Sequence, residues 1–106
     1  MNWVNLTPHD VVLLLPYTDP RVIKRNGGIA RVSITQDTTG FIEDIPIKKQ
    51  HFSVVQGLPE PVEGVGYIVS SLIAQACPDR KDLYFPVDLV RDNNGKVVGA
   101  RALGVL

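Results

Sequence analysis

The chain has one cysteine, Cys77, and two histidines, His9 and His51, which lie in separate segments. A single thiol cannot close a disulfide within the chain, which fits a reducing compartment. One Cys and two dispersed His also lack the ligand number and spacing of a zinc site, so no metal is expected. Neither charge sign is in excess, since eleven Lys and Arg balance eleven Asp and Glu. A neutral chain has no general attraction for nucleic acid or anionic membranes. Long apolar runs are missing too. The longest, Val11 to Pro16, falls far short of the roughly 20 residues a spanning helix needs. Met1 to Asp10 has neither the basic start nor the apolar stretch of a secretory leader, and the expected location is the cytoplasm. No glycine loop carries the Lys-Ser/Thr tail of a phosphate cradle, and Ser70 lacks the flanking glycines of a nucleophile elbow. No cofactor is expected.

What the chain does have is ordinary globular material: 106 residues, 44% apolar and 21% charged. That is one domain's worth. Eight Pro and nine Gly divide it into short runs rich in Val and Ile, the pattern of a compact β-rich α+β fold. About six to eight short strands are expected by the punctuation, as a small barrel or a two-layer antiparallel sheet with one short helix. Val11 to Leu15 reads as a buried strand after the turn Thr7-Pro8-His9-Asp10. Asn26-Gly27-Gly28 predicts a hairpin turn, because Asn and Gly tolerate positive φ. Its arms would be Arg21 to Arg25 and Ile29 to Thr35, with Ala30, Val32 and Ile34 facing the core. Phe41 to Ile47 reads as one edge or bulged strand, demoted by Pro46, with Glu43 and Asp44 on opposite faces. His51 to Gln56 and Val65 to Val69 are further strands. Leu72 to Cys77 reads as a helix stopped by Pro78, with a Ser at its start accepting a capping bond and Leu72, Ile73, Ala76 and Cys77 inside. Asp92-Asn93-Asn94-Gly95 predicts a second hairpin.

A set of short motifs runs in order along the chain. They are Asn5-Leu6-Thr7-Pro8-His9, Gly28-Ile29-Ala30-Arg31-Val32, Gly57-Leu58-Pro59-Glu60-Pro61, Tyr67-Ile68-Val69-Ser70, Arg91-Asp92, Gly95 and Val98-Gly99. In order and spacing they resemble a family of small uncharacterised proteins of bacteriophages, prophages and bacterial genomes, whose members often open with Asn-Leu-Thr-Pro-His. The stretch Asp79 to Asp82 departs from it. The resemblance implies a phage-type accessory protein and implies no reaction.

Candidate chemistry is sparse. Arg21, Lys24, Arg25 and Arg31 fall on or beside the first expected hairpin, with Lys48 and Lys49 further on. Arg forks suit phosphate, and Trp3, Tyr17, Phe52 and Tyr67 offer stacking rings. His9 could fix its turn through Asp10 or a backbone carbonyl, or face a ligand at a loop mouth. Cys77 reads as a small buried hydrophobe. The expected activity is therefore binding without catalysis. The ligand site would comprise His9, Tyr17, Arg21, Arg25, Arg31, Tyr67 and Ser70, taking a small anionic molecule such as a cyclic nucleotide. Such a protein would counter host defence by sequestering a nucleotide-derived immune signal or by blocking a defence protein. Two alternatives remain. One is a structural or assembly component of a phage particle, self-associating through exposed edges such as Phe41 to Ile47. The other is a small hydrolase using Ser70, His9 and Asp10 if these converge.

Overall fold

In a computed structural model describing residues 1–106, the chain forms eight strands and one helix. In chain order they are β1 (Asn2–Asn5), β2 (Val11–Leu13), β3 (Arg21–Ile23), β4 (Ile34–Ile42), β5 (Ile45–Phe52), β6 (Val65–Ile68), α1 (Ser71–Ala76), β7 (Leu83–Arg91) and β8 (Val97–Gly104). Six strands make one sheet in the order β1-β6-β7-β8-β2-β3, and β4 and β5 make a separate two-stranded ribbon. The large sheet curls until its ends almost meet, giving a nearly closed barrel. No helix is long and apolar enough to cross a membrane.

Asn5 makes the closure. Its backbone bridges Arg25 in parallel, just past the end of β3, and its carbonyl accepts from Asn26 N–H at 2.9 Å. Its side chain is fully buried, with both polar atoms used. Nδ2 donates to the carbonyls of Ile23 (3.0 Å) and His9 (2.9 Å), and Oδ1 accepts from Thr7 N–H at 3.0 Å. Thr7 Oγ1 donates to the same Oδ1 at 2.6 Å and has the His9 carbonyl as an alternative acceptor at 2.8 Å. The turn Thr7-Pro8-His9-Asp10 is thus fixed by Asn5 and Thr7, with His9 contributing its carbonyl and not its ring. A buried amide without partners is costly, and here none of its groups is left over.

Apolar side chains divide between two faces of β1 and β6. Inside the barrel lie Val11, Leu13, Ile23, Ile68 and Ala100, with Trp3 and Leu103 against them. Gly66 pairs with Trp3 across β1 and β6. A Cβ on Gly66 would stand 2.7 Å from the indole, so the glycine makes room for the largest inward ring. Trp3 then meets Tyr84 edge-on, centroids 4.9 Å apart. Outside, Leu6, Tyr67, Val69 and Leu83 are covered by Ile73 and Ala74 of α1 and by Ala30. The helix stops before Pro78 as its sequence predicts. Its inner residues are Ile73 and Ala74, while Leu72 is exposed. The Ser70 side chain makes no capping bond.

Two hairpin expectations change. Asn26-Gly27-Gly28 does turn the chain, with Gly27 at φ 90, but β3 pairs backwards with β2 and not forwards. The Asn26 N–H is claimed by Asn5, so the segment after it crosses to the outer core. Of the side expected to face inward, Ala30 is buried, Val32 half-buried and Ile34 exposed. Phe41 to Ile47 is not one strand. Glu43 and Asp44 form a two-residue turn with φ 50 and 64, the paired positive values of a type I′ hairpin. They therefore do not sit on opposite faces of a strand. Asp92 to Gly95 turns β7 into β8 as expected, with Asp92 Oδ1 accepting from Asn94 and Lys96 N–H.

Asn5→Ala removes two donated bonds and one acceptor at a fully buried position. It is expected to cost about 3 kcal/mol, from the desolvated carbonyls and amide left behind. Urea unfolding should show this as a lower midpoint at unchanged slope, and an unchanged midpoint would refute the closure role.

Candidate functional site

Strands β1 and β6 run parallel, so the segments that follow them, Thr7 to Asp10 and Val69-Ser70, emerge at the same end of the barrel. At that end β2 begins with Val11, and the start of β8 runs alongside it. These pieces surround a pocket of about 380 Å³. Its walls are apolar: Val11, Val12, Val69, Pro86, Leu89, Val97, Val98 and Ala100. Thr7, His9, Asp10 and Ser70 supply its polar groups.

Two backbone features shape the walls. Asp88, at φ 53, interrupts β7. Asp is among the few residues that tolerate this left-handed conformation. Pro86 and Leu89 are three apart and would point to opposite faces of a regular strand, yet both line the pocket. At the base of the other wall, a Cβ on Gly99 would lie 3.0 Å from both the Val12 carbonyl and Leu14. The glycine allows β8 to approach β2 closely. Leu89, Val97 and Val98 are each between 42% and 48% exposed, an apolar surface left open at the mouth.

Of the residues expected at a ligand site, His9 and Ser70 meet at this pocket. Arg25 stands beside it. Its N–H donates to Asp10 Oδ1 at 2.8 Å and its guanidinium reaches the Pro8 carbonyl at 3.5 Å. The others are dispersed. Arg21 pairs with Leu13 at the far end of β3. Arg31 bridges Gln56 at the base of the ribbon. Tyr17 is 95% exposed on the loop between β2 and β3. Tyr67 is a core residue, 4% exposed. Trp3 is likewise inside the barrel. The basic hairpin face with interleaved aromatics does not form, because the hairpin that would have assembled it is absent. The pocket's Val12, Leu89, Val97 and Val98 carry no sequence signal of their own. Apolar strand residues read as core, and only closure of the barrel reveals that these face an opening.

Ser70, His9 and Asp10 converge on one pocket, as the hydrolase alternative requires. No hydrogen bond joins any two of them, and the Asp10 carboxylate is taken up by the Arg25 N–H. The base–orienter contact of a catalytic triad is therefore not made.

A second groove, of about 410 Å³, lies at the opposite end beside Met1, Val65 and Tyr84. Two of its four charged groups, Arg80 and Asp82, are paired with each other. Arg80 Nε and Nη2 each donate to Asp82 at 2.8 Å, in fork geometry. Arg80 Nη2 also donates to the Pro59 carbonyl at 3.0 Å. Its guanidinium carbon sits 5.9 Å from the centre of the Tyr67 ring, and the Tyr67 hydroxyl donates to the Glu60 carbonyl at 3.2 Å. Arg80 thus ties the Pro-rich loop down over the outer core. The Arg80 hydrogen bonds hold the Asp82 carboxyl below its ordinary value and raise Arg80 in turn. A carboxyl whose folded pKa is depressed contributes stability above its unfolded pKa and loses it as pH falls through the folded one. Stability of the wild type should therefore decline below the ordinary Asp range, near pH 4. Asp82→Asn should flatten that decline in urea titrations across acidic pH. An identical slope in the variant would remove this pair from the acid response.

No family model matches the chain, and no curated protein or solved structure matches it; the pocket's own chemistry therefore carries the functional reading.

Proposed function

We propose that the protein is a phage-type accessory binding protein that holds a small nucleotide-derived molecule in the pocket at the barrel mouth. The observation that carries this is the pocket's division into apolar walls and a polar cluster drawn from two separate loops. Ligand sites typically combine apolar lining with a few convergent polar groups, and 380 Å³ lies at the small end of their range. The valine and leucine walls suit the faces of a heterocyclic ring. His9, Asp10, Ser70 and Thr7 supply donors and acceptors for ring-edge and sugar groups. Arg25, beside the His9-Asp10 turn, is the cation placed to meet a phosphate. Arg21 and Arg31 have no part in it. In an infected cell, holding such a molecule would withdraw an immune signal, the role that the resemblance to phage accessory proteins suggests.

Isothermal titration with a panel of cyclic mono- and dinucleotides tests the reading, supported by native mass spectrometry for a retained ligand. Binding is expected for at least one of them. Val98→Trp should block the mouth and abolish the heat. Arg25→Ala should weaken binding about ten- to a hundredfold, the loss of one or two charge-assisted bonds. Arg21→Ala, at the far end of β3, should leave it unchanged. No heat across the panel at high micromolar concentration, with no retained mass, would discard the proposal.

A further inference from the structure

The chain exposes far more surface than a lone domain of its size. Its accessible surface is 7598 Å², where a monomer of this mass has about 5,800 Å². Its radius of gyration is 16.7 Å, where a compact chain of this length has about 13 Å. The β4–β5 ribbon contributes to the excess. Nine residues of β4 extend about 30 Å at strand spacing, in a molecule whose longest axis is 53 Å. Nearly every ribbon residue is exposed, and the two strands pack chiefly on each other. A two-stranded ribbon standing alone is marginal in water.

The ribbon also has two open edges, and they differ. The β5 edge is guarded against pairing. It carries Pro46, which has no N–H to offer, followed by Lys48 and Lys49. Between Ile34 and Thr38, β4 has a single charge, Asp37, and that carboxylate is met by His51 Nε2 of the neighbouring strand at 3.0 Å. Beyond Thr38 the bulge before Gly40 ends the regular edge. One short edge is therefore left unguarded.

We propose that this edge joins two copies of the chain, their β4 strands running antiparallel about a twofold axis to make one four-stranded sheet. Three observations select a second copy as the occupant. An antiparallel strand edge is complementary to itself, which an isologous contact requires. The chain is neutral overall, so copies do not repel at long range. The surplus surface, about 1,800 Å² by the comparison above, exceeds the roughly 800 Å² per partner that a stable interface uses. With the axis at Gln36, each Asp37 faces the second copy's Thr35, and no like charges oppose. Each apolar tip, with Phe41 and Ile42 more than 60% exposed, then comes to the base of the other ribbon.

Sedimentation analysis of the full chain tests this independently of any ligand, and a dimer in the micromolar range is expected. Gln36→Lys sets two ammonium groups across the axis and should weaken the dimer several-fold with the circular dichroism spectrum unchanged. In a Cys77→Ala background, mild oxidation should link Gln36→Cys copies to each other and leave Lys49→Cys copies unlinked. A monomer at high micromolar concentration overturns the proposal. So does a dimer linked through Lys49→Cys and not through Gln36→Cys, and so does an open series of larger assemblies.

Discussion

One buried amide holds the barrel shut. Four of the six sheet junctions around the ring pair two or more residues, and a fifth joins β2 to β8 at Leu13 and Ala100. The sixth, between β1 and β3, is a single bridge at Asn5 with one backbone bond to Asn26. So short a seam would open unless something else spanned it. The Asn5 side chain does so, reaching the Ile23 carbonyl on one side and the His9 turn on the other. Asn suits the position because it alone offers, at that length, two donors for two carbonyls and an acceptor for an incoming N–H. Asp would present oxygen to both carbonyls, and Leu would leave the buried Ile23 carbonyl and the Thr7 N–H without their partner.

Closure and pocket are consequences of the same contact. The Asn5 bonds that shut the seam also set the Thr7-to-Asp10 turn, and that turn brings His9 and Asp10 to the mouth. The parallel pairing of β1 and β6 delivers Ser70 to the same end. Arg25 arrives because the closing bridge is made at its own backbone. The polar side of the mouth is therefore not an independent addition to the barrel, and a change at Asn5 would disturb fold and pocket together. Its apolar side depends on other features, the φ reversal at Asp88 and the close strand approach at Gly99.

Much of the fold was legible, and where it was not the reasons are physical. The β-rich class, the helix before Pro78 and the Asp92–Gly95 hairpin all follow from local chemistry: Val and Ile density, a residue without an N–H, and a glycine, Gly95, at the turn position with positive φ. The Asn26-Gly27-Gly28 turn was also recognisable as a turn. Its partner strand was not, because pairing is decided by the remote acceptor on Asn5. The Glu43-Asp44 turn was invisible for the opposite reason, since two acidic residues take positive φ there with no glycine to announce it. His9 and Ser70 stood out as polar groups in conspicuous places, and they do share a pocket. Arg21 and Arg31 join them only through a hairpin that does not form, and Tyr67, expected beside Ser70 at the same turn, is buried in the outer core.

With only 15 of 106 residues buried, the chain works with a thin core, and small external contributions weigh heavily. Stability of such a domain is a few kcal/mol out of large opposing terms. A ligand at the mouth would stabilise only the folded barrel, by an amount growing with the logarithm of its concentration over Kd. A second copy on β4 would act on the ribbon, with a dependence on protein concentration instead. The two sites lie in different parts of the molecule and touch different elements. Amide exchange can therefore separate them: slowing at Thr7 to Asp10 and Val97 to Ala100 reports the mouth, and slowing at Ile34 to Thr38 reports the edge. Protection of both by ligand alone would mean that the barrel and ribbon are coupled through the segment Arg25 to Arg31, the stretch of chain that runs from the mouth to the ribbon's base.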